Sequence, residues 1–169
     1  VAAEASSSLG RFDGVRYGYR ASSDNIHDMF IKTRSEGFGD EVKRRILLGT
    51  YFLSSGQYEK YYLKALKART LIKNDFENIF TKYDALLTPT TLDVAFNIGE
   101  KSKESLSMYM GDLFTVAANL AGVPAISVPC GLVSEMPVGF QLIGKHFAES
   151  DILKIALNYE KNSNFKDLK

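Results

Sequence analysis

One stretch, residues 106–143, constrains the fold of this chain more than any other. An apolar helix (LSMYMGDLFTVAANLA) is expected over 106–121, stopped by Gly122 with Pro124 just beyond. A strand follows at once over 125–128. After a turn around Ser134 to Pro137, a partly alternating run over 138–143 returns as its hairpin partner. A helix that leads straight into a hairpin needs a sheet to cover, which selects layered helices and strands.

The rest of the pattern is mostly helical. The chain opens on an alanine- and serine-rich helix, VAAEASSSL, that begins without an initiator Met, as if cut inside a domain. Residues 10–25 carry glycines, aspartates and aromatics without apolar periodicity and read as a long structured loop. A short helix is expected over 26–37, capped by Asp24 or Asn25 and stopped by Gly37, and another over 40–53 capped by Asp40. Ser54-Ser55-Gly56 ends it. The longest helix should span 57–82, with Leu63, Leu66, Leu71, Ile72, Phe76, Ile79 and Phe80 near a 3.6-residue period. Residues 85–88, a continuous apolar run before Pro89, suit a parallel or central strand, with a loop over 89–104 and a last helix over 150–161. With no complete βαβαβ set, the fold class is α/β, a piece of an α/β sandwich. A single domain without internal boundary is expected over 1–169, its sheet needing strands it does not contain.

Bulk properties exclude several function classes. A hydrophobic fraction of 45% with 24% charged residues is that of a globular domain, not a disordered chain. Twenty-one basic against 20 acidic residues leave a formal charge of +1, too little for a global field on a polyanion. The single Cys130 rules out an internal disulfide, and neither a long apolar span nor a leader appears, so a cytoplasmic setting without membrane contact is expected.

Candidate chemistry is sparse. Ser6-Ser7-Ser8 lacks a Gly-x-Ser-x-Gly elbow and reads as close helix packing, and Ser54-Ser55 as turn chemistry. His27 and His146 belong to no metal-ligand spacing, so no metal site is expected. Cys130, between Pro129 and Gly131, reads as a half-buried packing residue, and no phosphate-cradling glycine pattern is present. Two charges in apolar surroundings stand out, Arg45 and Asp112. A guanidinium fork and a carboxylate are what a zwitterionic amino acid requires at its α-carboxylate and α-ammonium. On spacing alone, an ordinary salt bridge between two helices is the plainer reading.

A series of motifs carries a family. AEASS followed by RFDGVRYGY, TRSEGFG, EVKRRILLGT, ARTLIKNDF, LTPTT and ANLAGVPAISVPCG resembles, in order, the C-terminal part of the amidase-signature A subunits of bacterial tRNA-dependent amidotransferases. The likeness spans essentially the whole chain. It implies an α/β/α sandwich with a mixed sheet and helices on both faces, of which this chain is the C-terminal portion. It implies that no catalytic residue lies here: the serine nucleophile, bridging serine and lysine would lie N-terminal to Val1. Arg45 falls at the family's carboxylate-binding arginine and Asp112 at its ammonium-binding aspartate, which favours the clamp over the salt bridge. The implied substrate is L-glutamine. The implied partners are the B and C subunits of the amidotransferase and a misacylated tRNA reached through the complex, with ATP and magnesium used in one of those partners. No cofactor is expected in this chain. Ala117 departs from a proline common in the family and could relax a kink near Asp112. Two alternatives remain: a hydrolase of another amide, and a non-catalytic docking segment using the aromatic-basic loop Arg11 to Arg20.

Overall fold

A computed structural model describes residues 1–100 and 109–164, which fall into two compact units, Val1–Lys67 and Ala68–Lys169.

The first unit is helical. Helix α1 (Ala2–Leu9) packs on α3 (Asp40–Leu53), with α2 (Ile26–Gly37) between them in sequence. Small residues set the crossing. Gly49 is buried, and a methyl there would run into the Ala2 carbonyl and the Ser6 Cβ, so the two backbones meet almost directly. Ser6 therefore serves packing, as its sequence setting suggested, with its hydroxyl 3.1 Å from that of Thr50. Asn25, one of the two expected caps, closes α2 by accepting from the Asp28 amide. Asp40 does not cap α3: it is the first helical residue, and Gly39 holds the cap position without a side-chain bond. The expected helix over 57–82 is divided. A π-helical turn (Tyr58–Leu63) precedes α4 (Lys64–Ile79), and the boundary between units falls inside α4.

The second unit is a three-stranded antiparallel sheet between helices, in the order β1 (Ala85–Pro89), β3 (Met136–Gly144), β2 (Ala125–Val133). The central β3 alternates cleanly. Leu142 turns to one face, where Ile152 and Ala156 of α6 (Glu149–Asn162) and Val128 complete a core, with Phe140 edge-on to Tyr159. Ile143 turns to the other, against Phe80 beyond the end of α4 and Ala118 of α5 (Val116–Ala121). Helices thus cover both faces. The run 85–88 is an antiparallel strand at one side of this sheet, not a parallel or central one; a short apolar run carries no information on strand direction. Strand β2 runs five residues past its expected end by absorbing Pro129 and Cys130 in a bulge. The hairpin closes at Ser134 and Glu135, both at positive φ (50° and 64°), the handedness a two-residue turn requires.

Candidate functional site

Arg45 lies in the second turn of α3, half-exposed. Its Nε donates to Oε1 of Glu41, one turn earlier, at 2.8 Å. The same carboxylate takes two 2.8 Å bonds from Arg44. Hydrogen bonds from Arg44 first and Arg45 second pull Glu41 down from the ordinary 4.5 to about 2, so it stays ionised at neutral pH. Anchoring through Nε leaves the fork open: among the described residues, neither terminal nitrogen of Arg45 is hydrogen-bonded.

Asp112 is placed differently from the sequence expectation. The helix over 106–121 is not continuous. Residues 106–108 lie outside the described ones, 109–111 are helical, Asp112 to Thr115 form a turn, and only then does α5 begin. Asp112 N and Leu113 N reach back three residues, to Tyr109 O and Met110 O, while Thr115 N and Val116 N both bond Asp112 O. Asp112 is therefore on a turn, not held on an apolar stripe, and its carboxylate has no partner among the described residues. The interruption is present with Ala117 in the chain, so no proline is needed to form it. Gly122, at φ 75°, ends α5 as expected, and Arg69 Nε donates to the Leu120 carbonyl at 2.8 Å.

Beneath this turn the sheet carries a polar rung that the sequence reading missed. Thr88, Gln141 and Ser127 stand opposite one another on β1, β3 and β2. Gln141, 4% exposed, donates through Nε2 to Thr88 Oγ1 at 3.1 Å and to Phe114 O, within the Asp112 turn, at 3.0 Å. The hydroxyls of Ser127 and Thr90 are 2.8 Å apart. A cleft of about 510 Å³ opens beside them, lined by the loop from Thr90 to Phe96, by Gly111 next to Asp112, and by the hairpin at Val138. A smaller hollow of about 320 Å³ shares Thr90 and Ser127 and reaches Gln141, Thr115 and Asn119. The larger volume suits a small molecule.

The other candidates are structural. Ser54 Oγ donates to Tyr51 O at the end of α3, and Gly56 takes positive φ behind it. Both histidines are exposed, and among the described residues no three His, Cys, Asp or Glu gather as metal ligands. Cys130 is exposed rather than half-buried, because the bulge turns it out of the ladder. In the loop after α1, Phe12 and Tyr17 lie against each other about half exposed, while the Tyr19 hydroxyl donates to Glu36 at 2.6 Å and Ala21 N to buried Thr33 Oγ1 at 3.0 Å, fastening the loop to α2. Buried Asp13 organises the loop from within, accepting from Arg16 N, Val15 N and Arg16 Nε, and these bonds hold its carboxyl well below the usual range. Arg16 also reaches Gly10 O, and Arg20 reaches Gly14 O.

A helix-covered sheet carrying this series of motifs defines a class. The amidase family profile matches residues 1–153, and the chain belongs to that family. Within it, the chain is 58% identical over 166 residues to the glutamyl-tRNA(Gln) amidotransferase A subunit of Geobacillus thermodenitrificans, covering 98% of this chain and 34% of that protein. It is 61% identical over 160 residues to the corresponding protein of Symbiobacterium thermophilum, covering 94% of this chain and 33% of that one. The crystal structure of the glutamyl-tRNA(Gln) amidotransferase A subunit from Thermotoga maritima superposes with a TM-score of 0.62 at 45% identity, over 82% of this chain and 32% of that one. A crystal structure described only as an amidase gives 0.62 at 28% identity, over 78% and 30%. The chain spans about a third of the length of the curated relatives it matches.

Proposed function

We propose that this chain is the substrate-clamping portion of the glutaminase component of a tRNA-dependent amidotransferase. Arg45 would take the α-carboxylate of L-glutamine and Asp112 its α-ammonium. The observation that carries this reading is a pair of charged groups with open valence, the Arg45 fork and the Asp112 carboxylate. The motif resemblance adds support, since it implies a carboxylate-binding role for Arg45 and an ammonium-binding role for Asp112. In the full-length protein, a serine supplied N-terminal to Val1 would attack the side-chain amide. Ammonia would leave, and water would then release glutamate from the acyl-enzyme. The ammonia would pass to a partner that activates a misacylated Glu-tRNA(Gln) or Asp-tRNA(Asn) with ATP and magnesium, within a cytoplasmic complex of three different subunits. The 169-residue chain alone would be inactive.

Such a clamp accounts for selectivity. Where the rest of the full-length protein covers the two groups, a simple amide would leave the guanidinium or the carboxylate desolvated and unpaired, so it would be rejected by more than the lost contact. Ammonia release from L-glutamine by the full-length protein tests the reading. Arg45→Ala and Asp112→Ala should each lower kcat/KM by about 2 to 5 kcal/mol, roughly thirtyfold to several thousandfold. Unchanged kinetics in both would point instead to another amide as substrate. A docking role for the 11–20 loop is less well supported, because Arg16 and Arg20 are spent on their own loop's carboxylate and carbonyls.

A further inference from the structure

We infer that Gln141 is a positioning residue for the ammonium-binding carboxylate, tying the Asp112 turn to the sheet. This rests on the proposed role of Asp112 and adds what determines where that carboxylate stands. The turn's own bonds, from Thr115 N and Val116 N to Asp112 O, fix its shape but not its location. The backbone ladder of α5 begins only with Asn119 N on Thr115 O, so the Phe114 carbonyl stands outside it and accepts from Gln141. The glutamine is itself immobilised. It projects from the central strand, nearly buried, and the second proton of its amide is committed to Thr88 Oγ1 on the neighbouring strand. The next rung on that face, Leu86 opposite Ile143, is apolar and packs under Phe80 and Ala118. A primary amide in such a place costs stability unless both of its protons are used, and here one is used to hold the turn two residues beyond Asp112. A side chain locked on a strand is a more rigid support than the loop it braces.

The test compares two substrates in the full-length protein: L-glutamine, and glutaramate, which lacks only the α-ammonium. Where glutaramate turns over too slowly, its inhibition constant against glutamine replaces kcat/KM. Gln141→Met, nearly isosteric but without donors, should lower the glutamine-to-glutaramate ratio of kcat/KM tenfold or more. The loss should appear in the KM for glutamine, with kcat and the glutaramate value within about threefold of the parent. Asp112→Asn is the reference and should collapse the same ratio. If Asp112→Asn lowers the ratio and Gln141→Met does not, the inference fails while the clamp stands. If Gln141→Met lowers both substrates equally, Gln141 is a general packing residue and the inference fails. If Asp112→Asn leaves the ratio unchanged, the clamp reading falls and the inference with it. Should Gln141→Met not fold, Gln141→Asn keeps the amide on a stem too short to reach both partners. An unchanged ratio in that variant overturns the inference, and a lowered ratio with normal glutaramate handling upholds it.

Discussion

Glu41 spends one carboxylate on two guanidiniums, and the order of its partners decides how Arg45 behaves. Arg44 binds it through two nitrogens and Arg45 through one, so Glu41 steers Arg45 without occupying its fork. A carboxyl whose folded pKa is depressed contributes stability that is present above its unfolded value and lost as pH falls toward the folded one. For Glu41 that window runs from 4.5 down to about 2. A carbon-detected titration of labelled glutamates should place one midpoint near 2. Arg44→Ala should raise it further than Arg45→Ala, because the Arg44 bond is the larger cause. A Glu41 midpoint near 4.5 in the parent would mean that the triad does not form in solution. The sequence singled out Arg45 and Asp112 as charges in apolar runs, but neither the Glu41 bond of the one nor the turn that carries the other was legible in it. Gln141 was invisible for a physical reason. In VGFQLI it looks like the solvent-facing member of an alternating strand, and only the fold shows that α5 and the Asp112 turn cover that face.

Element by element, the sequence signals that proved reliable were those in which backbone chemistry leaves little choice. Gly122 at the end of α5 and Asn25 at the start of α2 stand where expected, and the strands after Pro124 pair as a hairpin as expected, although both run longer. Periodicity alone did worse. It carried a single helix across Asp112, where three-residue back-bonds and the Phe114 contact interrupt it, and across Tyr58–Leu63, where a π-helical turn breaks the 3.6-residue register and Leu71, placed on the apolar stripe, stands exposed. Nor could periodicity show how closely α1 and α3 cross. Replacing a mid-helix glycine by alanine normally gains about 0.5–1 kcal/mol. At Gly49 the new methyl meets the backbone carbonyl of Ala2, which cannot swing aside as a long side chain would. Overpacking of this kind costs about 1–3 kcal/mol. Gly49→Ala should therefore lower the unfolding midpoint of the full-length protein. A rise would show that α1 yields to the methyl at little cost.

At the scale of the whole chain, the sequence reading anticipated a sheet that needs strands it does not contain, and the described sheet ends on two unpaired edges. β1 pairs only with β3 on its inner side, and so does β2, so among the described residues both outer ladders lack partners. Neither edge strand carries a charged residue, and what blunts them is a proline at the end of the five-residue β1 and the bulge at Pro129 and Cys130 in β2. β1 presents Leu87 at 66% exposure, and the nine-residue β2 ends on exposed Leu132 and Val133. Large apolar residues are exposed elsewhere too, Leu47 on α3 and Leu71 on α4 among them, and among the described residues no large side chain is fully withdrawn from solvent. A polypeptide spanning about a third of its relatives' length, with open strand edges and apolar helix surface, should find partners in itself. The isolated 169-residue chain is therefore expected to run as concentration-dependent oligomers by light scattering. Leu87→Lys and Val133→Lys together should shift it toward monomer by charging both edges. If edge pairing drives association, those two substitutions act more strongly than Leu47→Lys with Leu71→Lys on the helices. The reverse order would assign it to the helix faces, and a monodisperse parent chain at tens of micromolar would show that the exposed edges are protected in solution.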